Sequence, residues 1–432
     1  MMDRPDDLNL AIVSDLHLSE GRHPTTRTFH RNEDFFFDGP FDRFLSYLEA
    51  SSMRRGRKWR LVIAGDMVDF LQITRQPEHP PFTLRQSEKD YGLGTSPEKT
   101  IWKLKVMMDG HRVLFQALGR FLGDGHSVVI VAGNHDIEWN VPDVQQAFRE
   151  EMKRFIPAGR RDPDDAMTRG ITFCPWFYYE PGLVWIEHGH QYDGINAFDH
   201  LLYPTLPESN EIMLPGGSFF VRYLFNRVEQ EHPFADNMKP IAAYLKKYWP
   251  HLLFSLNVWQ HLRYFLAIFN KVGRFRLSDL AILEREHKQR LQREADRYGL
   301  DITRLKAIKN LWVPCFLYNQ GVPANMVRFM TDRVEGDYPR VAAIIQKEMN
   351  VRYVIMGHTH DVQLCSLTPD GRAEYVNAGT WTKIFSDNPG DRLIHDEKEF
   401  IFIEILKDEN NRLELLKWRD DPFYCDRVNL FA

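Results

Sequence analysis

The sequence has few cysteines, and none of them are close together. Its 432 residues include four, which lie far apart and form no Cys-x-x-Cys pair: Cys174, Cys315, Cys365 and Cys425. This spacing is typical of neither a zinc ribbon nor a disulfide framework. The N-terminal residues also lack the basic stretch and apolar core of a signal peptide. The sequence therefore predicts reduced thiols in a cytoplasmic protein.

A long apolar run is also missing. A membrane-spanning helix needs about 20 nearly uninterrupted apolar residues. The best candidate, residues 252–272, is interrupted by Asn257, Gln260, His261 and Arg263. This segment is not predicted to span a bilayer, although its composition is compatible with lying on the surface of one.

There is no excess of positive charge. The net charge is -5 and the isoelectric point is near 6.4, which argues against a protein that coats nucleic acid by bulk electrostatics. No nucleic-acid partner is therefore predicted. Hydrophobic residues make up 43% of the chain and aromatic residues 13%, enough to bury a sizeable core in one large or two modest domains.

Short apolar runs alternate with helical patterns from residue 8 to residue 194. Runs typical of buried strands end at residues 13, 64, 131 and 186, and polar residues follow each of them directly. This alternation predicts an α/β fold with parallel strands. In such sheets ligands gather at the carboxyl ends of the strands, so these polar residues are expected to converge in space.

The character of the sequence changes after residue 194. Residues 195–350 have helical patterns and few strand signals, whereas strand signals return at 352–356 and continue to about residue 417. The sheet is therefore predicted to be interrupted by a helical insertion at 195–350, within one catalytic domain formed by 1–194 and 351–432. The proline-rich segment 76–97 is predicted to be a long loop.

Seven side chains near the predicted strand ends are candidate metal ligands. Asp15 and His17 are two residues apart in an extended segment, so both can face the same cation. Asp66 has two oxygens with which to bridge a pair of cations. Together the set supplies one bridging carboxylate and three further ligands for each of two ions; its members are Asp15, His17, Asp66, Asn134, His188, His358 and His360. Each fragment alone is more often a turn or a core histidine, but five in order at strand ends favour a site.

The order of these fragments resembles the five-block signature of the calcineurin-like metallophosphoesterases. The blocks are Asp15-x-His17, Gly65-Asp66-x-x-Asp69, Gly133-Asn134-His135-Asp136, His188-Gly189-His190 and Gly357-His358-x-His360. The resemblance implies an α+β sandwich, a four-layer α/β/β/α fold with two sheets between helices. It also implies one metal at Asp15, His17, Asp66 and His360, and a second at Asp66, Asn134, His188 and His358.

The donor types indicate the metals and the reaction. Mixed oxygen and imidazole ligands suit Mn²⁺, with Fe, Zn²⁺ or Ni²⁺ as alternatives, better than Mg²⁺ or Ca²⁺. Two such ions can hold a bridging hydroxide that attacks a phosphomonoester, phosphodiester or pyrophosphate. His135 is predicted to protonate the leaving oxygen, with Asp136 orienting it, and Asp69 to fix a ligand histidine. Helix N-capping explains Asp69 and Asp136 equally well.

Four further polar residues lie in or just after the fourth block. His190 is expected to sit behind His188 or to face the substrate. Tyr192, Asp193 and Asn196 are candidate substrate contacts, or alternatively turn and helix-cap residues.

The predicted insertion is mildly basic, whereas the rest of the chain is acidic. Its aromatic residues either pack the helices together or form an apolar cap for a hydrophobic substrate or an anionic membrane surface. The first block and the helical insert are similar to those of bacterial UDP-diacylglucosamine pyrophosphatases. The predicted substrate is therefore a phosphorylated small molecule or a nucleotide-linked lipid, with peripheral membrane contact through 195–350.

Two functions of other kinds compete with hydrolysis of such a substrate. One is a family member that has lost catalysis and serves as a binding scaffold; such proteins usually lack a first-block or third-block histidine, whereas His17 and His135 are both present. The other is a nuclease, for which a basic groove or an added DNA-binding region would be expected. The sequence shows neither a basic groove nor an added DNA-binding region.

Overall fold

A computed structural model describes residues 8–226, 229, 238–239, 277–315, 337–383, 385–386, 399–419 and 424–427. The strands are β1 (Asn9–Val13), β2 (Trp59–Ala64), β3 (Ser127–Val131), β4 (Ile171–Cys174), β5 (Phe177–Glu180), β6 (Val184–Glu187), β7 (Met238–Lys239), β8 (Tyr353–Met356), β9 (Gln363–Ser366), β10 (Glu374–Asn377), β11 (Phe385–Ser386), β12 (Glu399–Ile405), β13 (Leu413–Arg419) and β14 (Tyr424–Arg427). The α-helices are α1 (Asp38–Arg55), α2 (Gln86–Tyr91), α3 (Pro97–Gly110), α4 (Arg112–Gly123), α5 (Pro142–Lys153), α6 (Pro163–Gly170), α7 (Gly216–Phe220), α8 (Leu277–Tyr298), α9 (Ile302–Lys309) and α10 (Tyr338–Met349). Short 3₁₀ helices occur at Ile137–Asn140 and His190–Tyr192.

Seven strands form the first sheet, in the order β14-β13-β12-β1-β2-β3-β4. Strands β1 to β4 run parallel to one another, whereas β12 pairs antiparallel with β1. Apolar strand residues are buried on both faces, as expected for parallel strands that are covered on both sides. The carboxyl ends of β1, β2 and β3 therefore lie at one edge of this sheet.

Five strands form the second sheet, in the order β5-β6-β8-β10-β9. Strand β8 is parallel to both β6 and β10, so the carboxyl ends of these three strands also share an edge. The chain reaches β8 only after the segment predicted as an insertion. Two residues that are far apart in the sequence can therefore follow neighbouring strands.

The two sheets pack face to face. Alternate strand residues enter the shared core, among them Leu10 and Ile12 from β1, Ile186 from β6 and Ile355 from β8. The intervening residues Ala11 and Val13 point to the opposite side, where they join the core beneath the helices. This period of two is the expected consequence of the pleat. The predicted α/β sandwich with flanking helices is confirmed.

Aromatic side chains attach α1 to the first sheet. Phe44 lies edge-on to Trp381, Phe402 and Trp418, with ring centroids 5.3, 5.0 and 6.0 Å away. All four side chains are buried. Such edge-to-face pairs stabilise a core beyond the area that they bury.

Within the predicted insertion, the described residues contain α7 to α10 and the short strand β7. Helix α10 lies against the second sheet. Phe219, Tyr223 and Phe225 are buried, which favours the packing interpretation for these three aromatic residues. The aromatic-rich segment 244–275 lies outside the described residues, and so does the apolar stretch 252–272. None of the helices in the described ranges is long and apolar enough to cross a bilayer. The boundaries 195 and 350 stay a prediction.

The prediction of one long loop at 76–97 is wrong for residues 86–91. Helix α2 forms there, because Glu88 reaches back to accept a hydrogen bond of 2.9 Å from the Arg85 backbone N–H at the start of the helix. Buried Glu88 also pairs with Lys99 of α3 at 2.6 Å. A single carboxylate therefore both caps the helix and attaches it to its neighbour.

A buried charge cluster fixes the loop that follows β1. His111, between α3 and α4, lies 3.2 Å from Glu33 Oε2 and 2.9 Å from Asp38 Oδ1, and all three are buried. Burial alone would lower the pKa of His111, but the two carboxylates raise it to about 10. The imidazolium therefore stays charged at neutral pH and holds the two acidic residues together.

The His111 cluster should make stability depend on pH. Because the folded-state pKa of His111 lies above its ordinary value of 6.5, the stabilisation is complete below about pH 6.5 and is lost as the pH rises through about 10. Replacing His111 with leucine should lower the free energy of unfolding by about 3–5 kcal/mol at pH 7, because it leaves two carboxylates without a counter-charge. Urea denaturation between pH 6 and pH 10 measures both effects. The exposed His79→Gln variant is the control, and a pH profile identical in both variants would contradict the assignment.

Candidate metal centre

Seven predicted ligands converge where strands of both sheets end. Each follows its strand within a few residues, because the chain turns there and presents polar side chains at the sheet edge. Asp15 and His17 follow β1, Asp66 follows β2, Asn134 follows β3, His188 follows β6, and His358 and His360 follow β8. All but His358 and His360 are buried, and those two are partly buried.

The first cluster consists of Asp15, His17 and His360. The Nε2 atom of His360 lies 3.2 Å from Asp15 Oδ1 and 3.2 Å from His17 Nε2, and His17 Nε2 lies 3.7 Å from Asp15 Oδ1. These three side chains are among the groups whose donor atoms are close enough to hold one metal ion. The first and fifth blocks therefore meet, although 343 positions separate His17 from His360.

The second cluster consists of Asp66, Asn134, His188 and His358. The Nε2 atom of His188 lies 3.0 Å from Asp66 Oδ2 and 3.2 Å from Asn134 Oδ1. The other ring nitrogen, Nδ1, hydrogen-bonds the backbone oxygen of Ala64 at 3.0 Å. This bond leaves Nε2 as the ligand atom and fixes the orientation of the ring. Asp66, His188 and His358 also have donor atoms close enough for one ion.

One oxygen of Asp66 lies between the two clusters. Asp66 Oδ2 is 3.0 Å from His188 Nε2 and 3.8 Å from His17 Nε2. The second oxygen, Oδ1, accepts a hydrogen bond of 2.9 Å from the His135 backbone N–H. The position of Asp66 is therefore the one that a ligand shared by two ions requires.

Backbone strain is concentrated at the same residues. Five of the nine non-glycine residues with positive φ in the described chain are predicted ligands: Asp15, His17, Asp66, His358 and His360. This conformation is unfavourable for residues with a Cβ atom and usually persists at functional sites. Between the ligands, Gly133 has no side chain because a Cβ atom there would collide with the Asp66 carboxylate. The backbone strain at these five residues therefore lowers the stability of the fold while it brings the donor atoms together.

The donor atoms fit a pair of cations. Asp15 Oδ1 is buried, and its polar neighbours are the Nε2 atoms of His360 at 3.2 Å and His17 at 3.7 Å. Buried lone pairs this close together cost free energy unless a proton or a cation lies between them. The Nε2 atoms of His17 and His360 face each other only 3.2 Å apart, and a cation between them would likewise stabilise this arrangement. Carboxylate, amide and imidazole donors are the usual ligands of Mn²⁺, Fe and Zn²⁺.

The charges at the site also favour cations. Burial alone would raise the pKa of Asp15, but His188 and His360 hold it well below its usual range. Burial alone would also raise the pKa of Asp66, but His188 and His135 hold it well below its usual range. Burial would lower the pKa of His188, but Asp66 and Asp15 raise it to about 9. Both carboxylates are therefore ionised and attract positive charge strongly.

His135 lies beside the clusters and is oriented by Asp69. The Nδ1 atom of His135 is 2.5 Å from Asp69 Oδ2, and the His135 ring lies edge-on to the His17 ring at 4.8 Å. Asp69 Oδ2 is also 4.0 Å from His17 Nδ1. Burial would lower the pKa of His135, but Asp69 and Asp66 raise it. Asp69 therefore contacts His17, as predicted for a carboxylate that fixes a ligand histidine, and in addition orients His135. Its other oxygen accepts hydrogen bonds from the backbone N–H groups of Leu71 and Gln72. These residues form a turn and not a helix, so the helix-capping interpretation of Asp69 is wrong.

The prediction that Asp136 orients His135 is wrong. The Asp136 carboxylate accepts hydrogen bonds of 2.7 Å from the backbone N–H groups of Met67 and Gly133, and one of 3.0 Å from the indole of Trp139. It is fully buried, and burial together with Asp66 raises its pKa to about 7. Asp136 joins the second and third blocks and does not reach the reacting side of the site.

The prediction of a substrate contact is also wrong for Tyr192. Its hydroxyl donates a hydrogen bond of 2.9 Å to Glu187, and the side chain is 1% exposed. His190 is buried behind the ligand histidines, with ring centroids 5.4 Å from His188 and 6.4 Å from His358. Burial and these two imidazoles lower the pKa of His190 well below its usual range, so its ring is neutral. His190 therefore lies behind His188 in the structure, which is one of the two positions expected for it.

Asp193 touches a ligand. Its Oδ2 atom lies 3.1 Å from His358 Nε2 and accepts a hydrogen bond of 2.7 Å from the Asn196 side chain. With Nε2 engaged in this way, the Nδ1 atom of His358 is left to face a metal. Carboxylates that hold a ligand histidine in this way fix its ring and increase its basicity. Asp193 is therefore a positioning residue, and Asn196 supports it.

Replacing Asp193 with asparagine should weaken metal binding at the second cluster by about 10- to 100-fold, because His358 loses its charged partner. Competition with a chelator measures the two metal affinities separately from activity. Asp162→Asn, at a helix cap far from the centre, is the matched control. An Asp193→Asn protein with unchanged affinity at both clusters would refute the positioning role.

A further segment supports the site and was missed by the sequence analysis. Asn377, at the end of β10, donates a hydrogen bond of 2.7 Å to the Gly357 backbone oxygen, and Thr380 donates one of 2.8 Å to the Asp15 backbone oxygen. Both are buried. The segment 377–381 therefore ties the first block to the fifth. Its one sequence signal was that polar residues follow a predicted strand there.

Comparisons with known proteins agree with this arrangement. Residues 8–216 match the family model described as calcineurin-like phosphoesterase. The matched segment, just under half of the chain, is therefore similar to the calcineurin-like phosphoesterases, whose members are in general metal-dependent hydrolases. No curated protein matches the chain.

Solved structures of Vps29 from Entamoeba histolytica are also similar to this chain. The wild-type protein complexed with Zn²⁺ is 22% identical over 26% of this chain and 50% of that chain, with a TM-score of 0.15. A double mutant and a single mutant of the same protein are 20% and 21% identical, with the same coverage and TM-score. The chain thus spans half the length of these structures. The similarity to UDP-diacylglucosamine pyrophosphatases stays a prediction from the sequence.

Proposed function

We propose that this chain hydrolyses a phosphate ester or anhydride at a centre of two divalent cations. The observation that carries the proposal is the position of Asp66 Oδ2 between two clusters of ligands, each with three further donors. The first ion would be held by Asp15, His17, Asp66 and His360, and the second by Asp66, Asn134, His188 and His358. Mn²⁺ is the proposed occupant, with Fe, Zn²⁺ and Ni²⁺ as alternatives.

When bound, such cations lower the pKa of water and neutralise charge on phosphoryl oxygens. The chain supplies the remaining chemistry. His135 is partly exposed, with 18% of its side chain accessible, and it faces away from Asp69 through Nε2. Because Asp69 raises the pKa of His135 and orients its ring, Nε2 is placed to donate a proton to the leaving oxygen. The cations would thus activate the attacking water, whereas His135 would protonate the leaving group.

The proposed substrate is a phosphomonoester, a phosphodiester or a pyrophosphate, with a nucleotide-linked lipid as the alternative. Hydrolysis should be screened with aryl phosphomonoesters, aryl phosphodiesters, cyclic nucleotides and UDP-lipid pyrophosphates. We expect Mn²⁺ to support hydrolysis of at least one class, a chelator to abolish it, and added Mn²⁺ to restore it. If the insertion binds acyl chains, detergent-dispersed acyl substrates should react faster than water-soluble ones.

Two outcomes of this screen would count against the proposal. A protein that binds two cations per chain but hydrolyses none of these substrates would instead support a catalytically silent scaffold. Activity that survives complete metal removal would contradict the metal-dependent mechanism. Parallel assays of a His135→Ala preparation exclude a contaminating phosphatase, since a contaminant would be unaffected by the substitution.

A further inference from the structure

A second polar cavity lies outside the metal centre. Its volume is about 300 Å³, near the lower end of the range for small-molecule sites. It lies between α8, α9 and the segment that follows the fourth block; its lining residues are Asp199, His200, Glu284, His287, Lys288 and Lys309. None of the seven predicted metal ligands lines it.

His287 presents a hydrogen-bond donor to this cavity. The side chain is 3% exposed, and its Nδ1 atom accepts a hydrogen bond of 3.3 Å from the Leu202 backbone N–H. Burial and the charge of Lys309 lower the pKa of His287 to about 3, so the ring is neutral. A neutral imidazole whose Nδ1 accepts must carry its proton on Nε2. The Nε2–H group is buried and has no acceptor in the described part of the chain.

The Nε2–H tautomer of His287 indicates which kind of ligand the cavity can bind. A metal ion needs a ring nitrogen with a free lone pair, and neither nitrogen of His287 offers one. A buried N–H group without an acceptor costs free energy, which a ligand oxygen would recover. The chemistry of His287 therefore favours a hydrogen-bond acceptor over a cation.

The charges around His287 favour an anionic acceptor. Lys309 is half-buried, and its ammonium group lies 5.6 Å from the centroid of the Trp312 ring. Its charge also acts on Asp199 and Glu284, but it forms no ion pair with a carboxylate among the described residues. The Nδ1 atom of His200, whose ring centroid is 6.0 Å from that of His287, is also buried without a described partner. By contrast, Lys288 and Glu284 are exposed and pair with each other at 2.7 Å.

Asp199 is the remaining carboxylate in the wall. Its Oδ1 atom accepts a hydrogen bond of 2.9 Å from the Cys315 backbone N–H, so one of its oxygens is already engaged. The cavity thus combines an ammonium group that forms no ion pair in the described part of the chain with an imidazole N–H group that has no described acceptor, while Glu284 and Asp199 each have a hydrogen-bond or ion-pair partner. We propose that this cavity binds a small oxyanion, the phosphate or carboxylate group of a ligand, through His287 Nε2–H and Lys309. This proposal does not depend on the proposed hydrolysis.

Isothermal titration of inorganic phosphate into the metal-loaded, full-length protein tests the site. Two binding events are expected in the parent protein, because the metal centre should also bind phosphate. A chelator should remove the event at the metal centre and leave the event at the cavity. Lys309→Met should weaken the cavity event by about tenfold or more, because a charge-assisted hydrogen bond is lost. Lys309→Arg should retain most of the affinity, since it keeps the positive charge.

Lys306→Met is the matched control, because Lys306 is exposed on the same helix and does not line the cavity. Sulfate and acetate, titrated separately, show whether the cavity prefers a tetrahedral or a planar oxyanion. Loss of all phosphate binding on chelation would overturn the proposal, and so would equal affinities of the Lys309→Met and Lys306→Met proteins. Hydrolysis by the same preparations is measured independently, so failure of one proposal is distinguishable from failure of the other.

Discussion

Replacing Asp66 with asparagine should remove most of the bound metal and lower kcat/KM by about 10³-fold or more. The reason is that one oxygen of Asp66 lies between both clusters, so loss of its charge weakens both ions at once. Each bound ion would contribute several kcal/mol of charge stabilisation in the transition state, and about 1.4 kcal/mol corresponds to a tenfold change in rate. Metal content by elemental analysis and steady-state kinetics measure the two effects.

His360→Asn is the informative comparison for Asp66→Asn. His360 belongs to the first cluster alone, so its replacement should lower the metal content by about one ion per chain and not two. Thermal denaturation checks that both variants remain folded. If Asp66→Asn kept two ions per chain, the bridging position assigned to Asp66 would be refuted.

Replacing His135 with alanine should lower kcat by about 10²- to 10⁴-fold while leaving the metal content unchanged. His135 lies beside the seven predicted ligands and is not among them, and its Nδ1 atom is 2.5 Å from Asp69 Oδ2. The loss should depend on the leaving group, because the proposed role is to protonate the leaving oxygen. An aryl substrate with an acidic phenol should lose little activity, whereas an alkyl phosphate should lose most of it.

Asp69→Asn is the matched variant for this test, because it keeps the shape of the residue that orients His135 and removes its charge. It should show the same dependence on leaving group, with a smaller loss of rate. An equal loss on good and poor leaving groups in the His135→Ala protein would contradict proton donation. Loss of metal would show that His135 helps to hold the ions.

The sequence predicts the convergence of the ligands well because the underlying signal is local. Asp15, Asp66, Asn134, His188 and His358 each follow an apolar run that the structure shows to be a strand. The carboxyl ends of parallel strands share an edge, so strand order brings Asp15, Asp66 and Asn134 together at one sheet and His188 and His358 at the other. The packing of the two sheets then joins the two groups. His188 and His358 lie close together although they are far apart in the sequence, because β8 pairs directly with β6.

The role of Asp136 could not be predicted in the same way. Asp69 and Asp136 are both carboxylates near His135, and the choice between them depends on the path of the loops. Asp136 is turned toward the backbone N–H groups of Met67 and Gly133, while Asp69 reaches the imidazole. Loop geometry is a product of packing, and a motif does not specify it.

Short strands were missed for a related reason. Strands β4 and β5 are separated by only two residues, Pro175 and Trp176, yet β4 belongs to the first sheet and β5 to the second. The run from Ile171 to Glu180 has no polar break to mark that change. Proline lacks a backbone N–H and so ends the pairing of β4, but the choice of a new sheet depends on tertiary contacts.

The most direct test of the account is anomalous diffraction from a crystal of this protein grown with Mn²⁺. We expect two manganese peaks about 3.5–4 Å apart, with Asp66 bound to both. His17 and His360 should ligate one ion, and His188 the other. A single peak, or ligand side chains that remain apart at saturating Mn²⁺, would contradict the central claim that two cations share this centre.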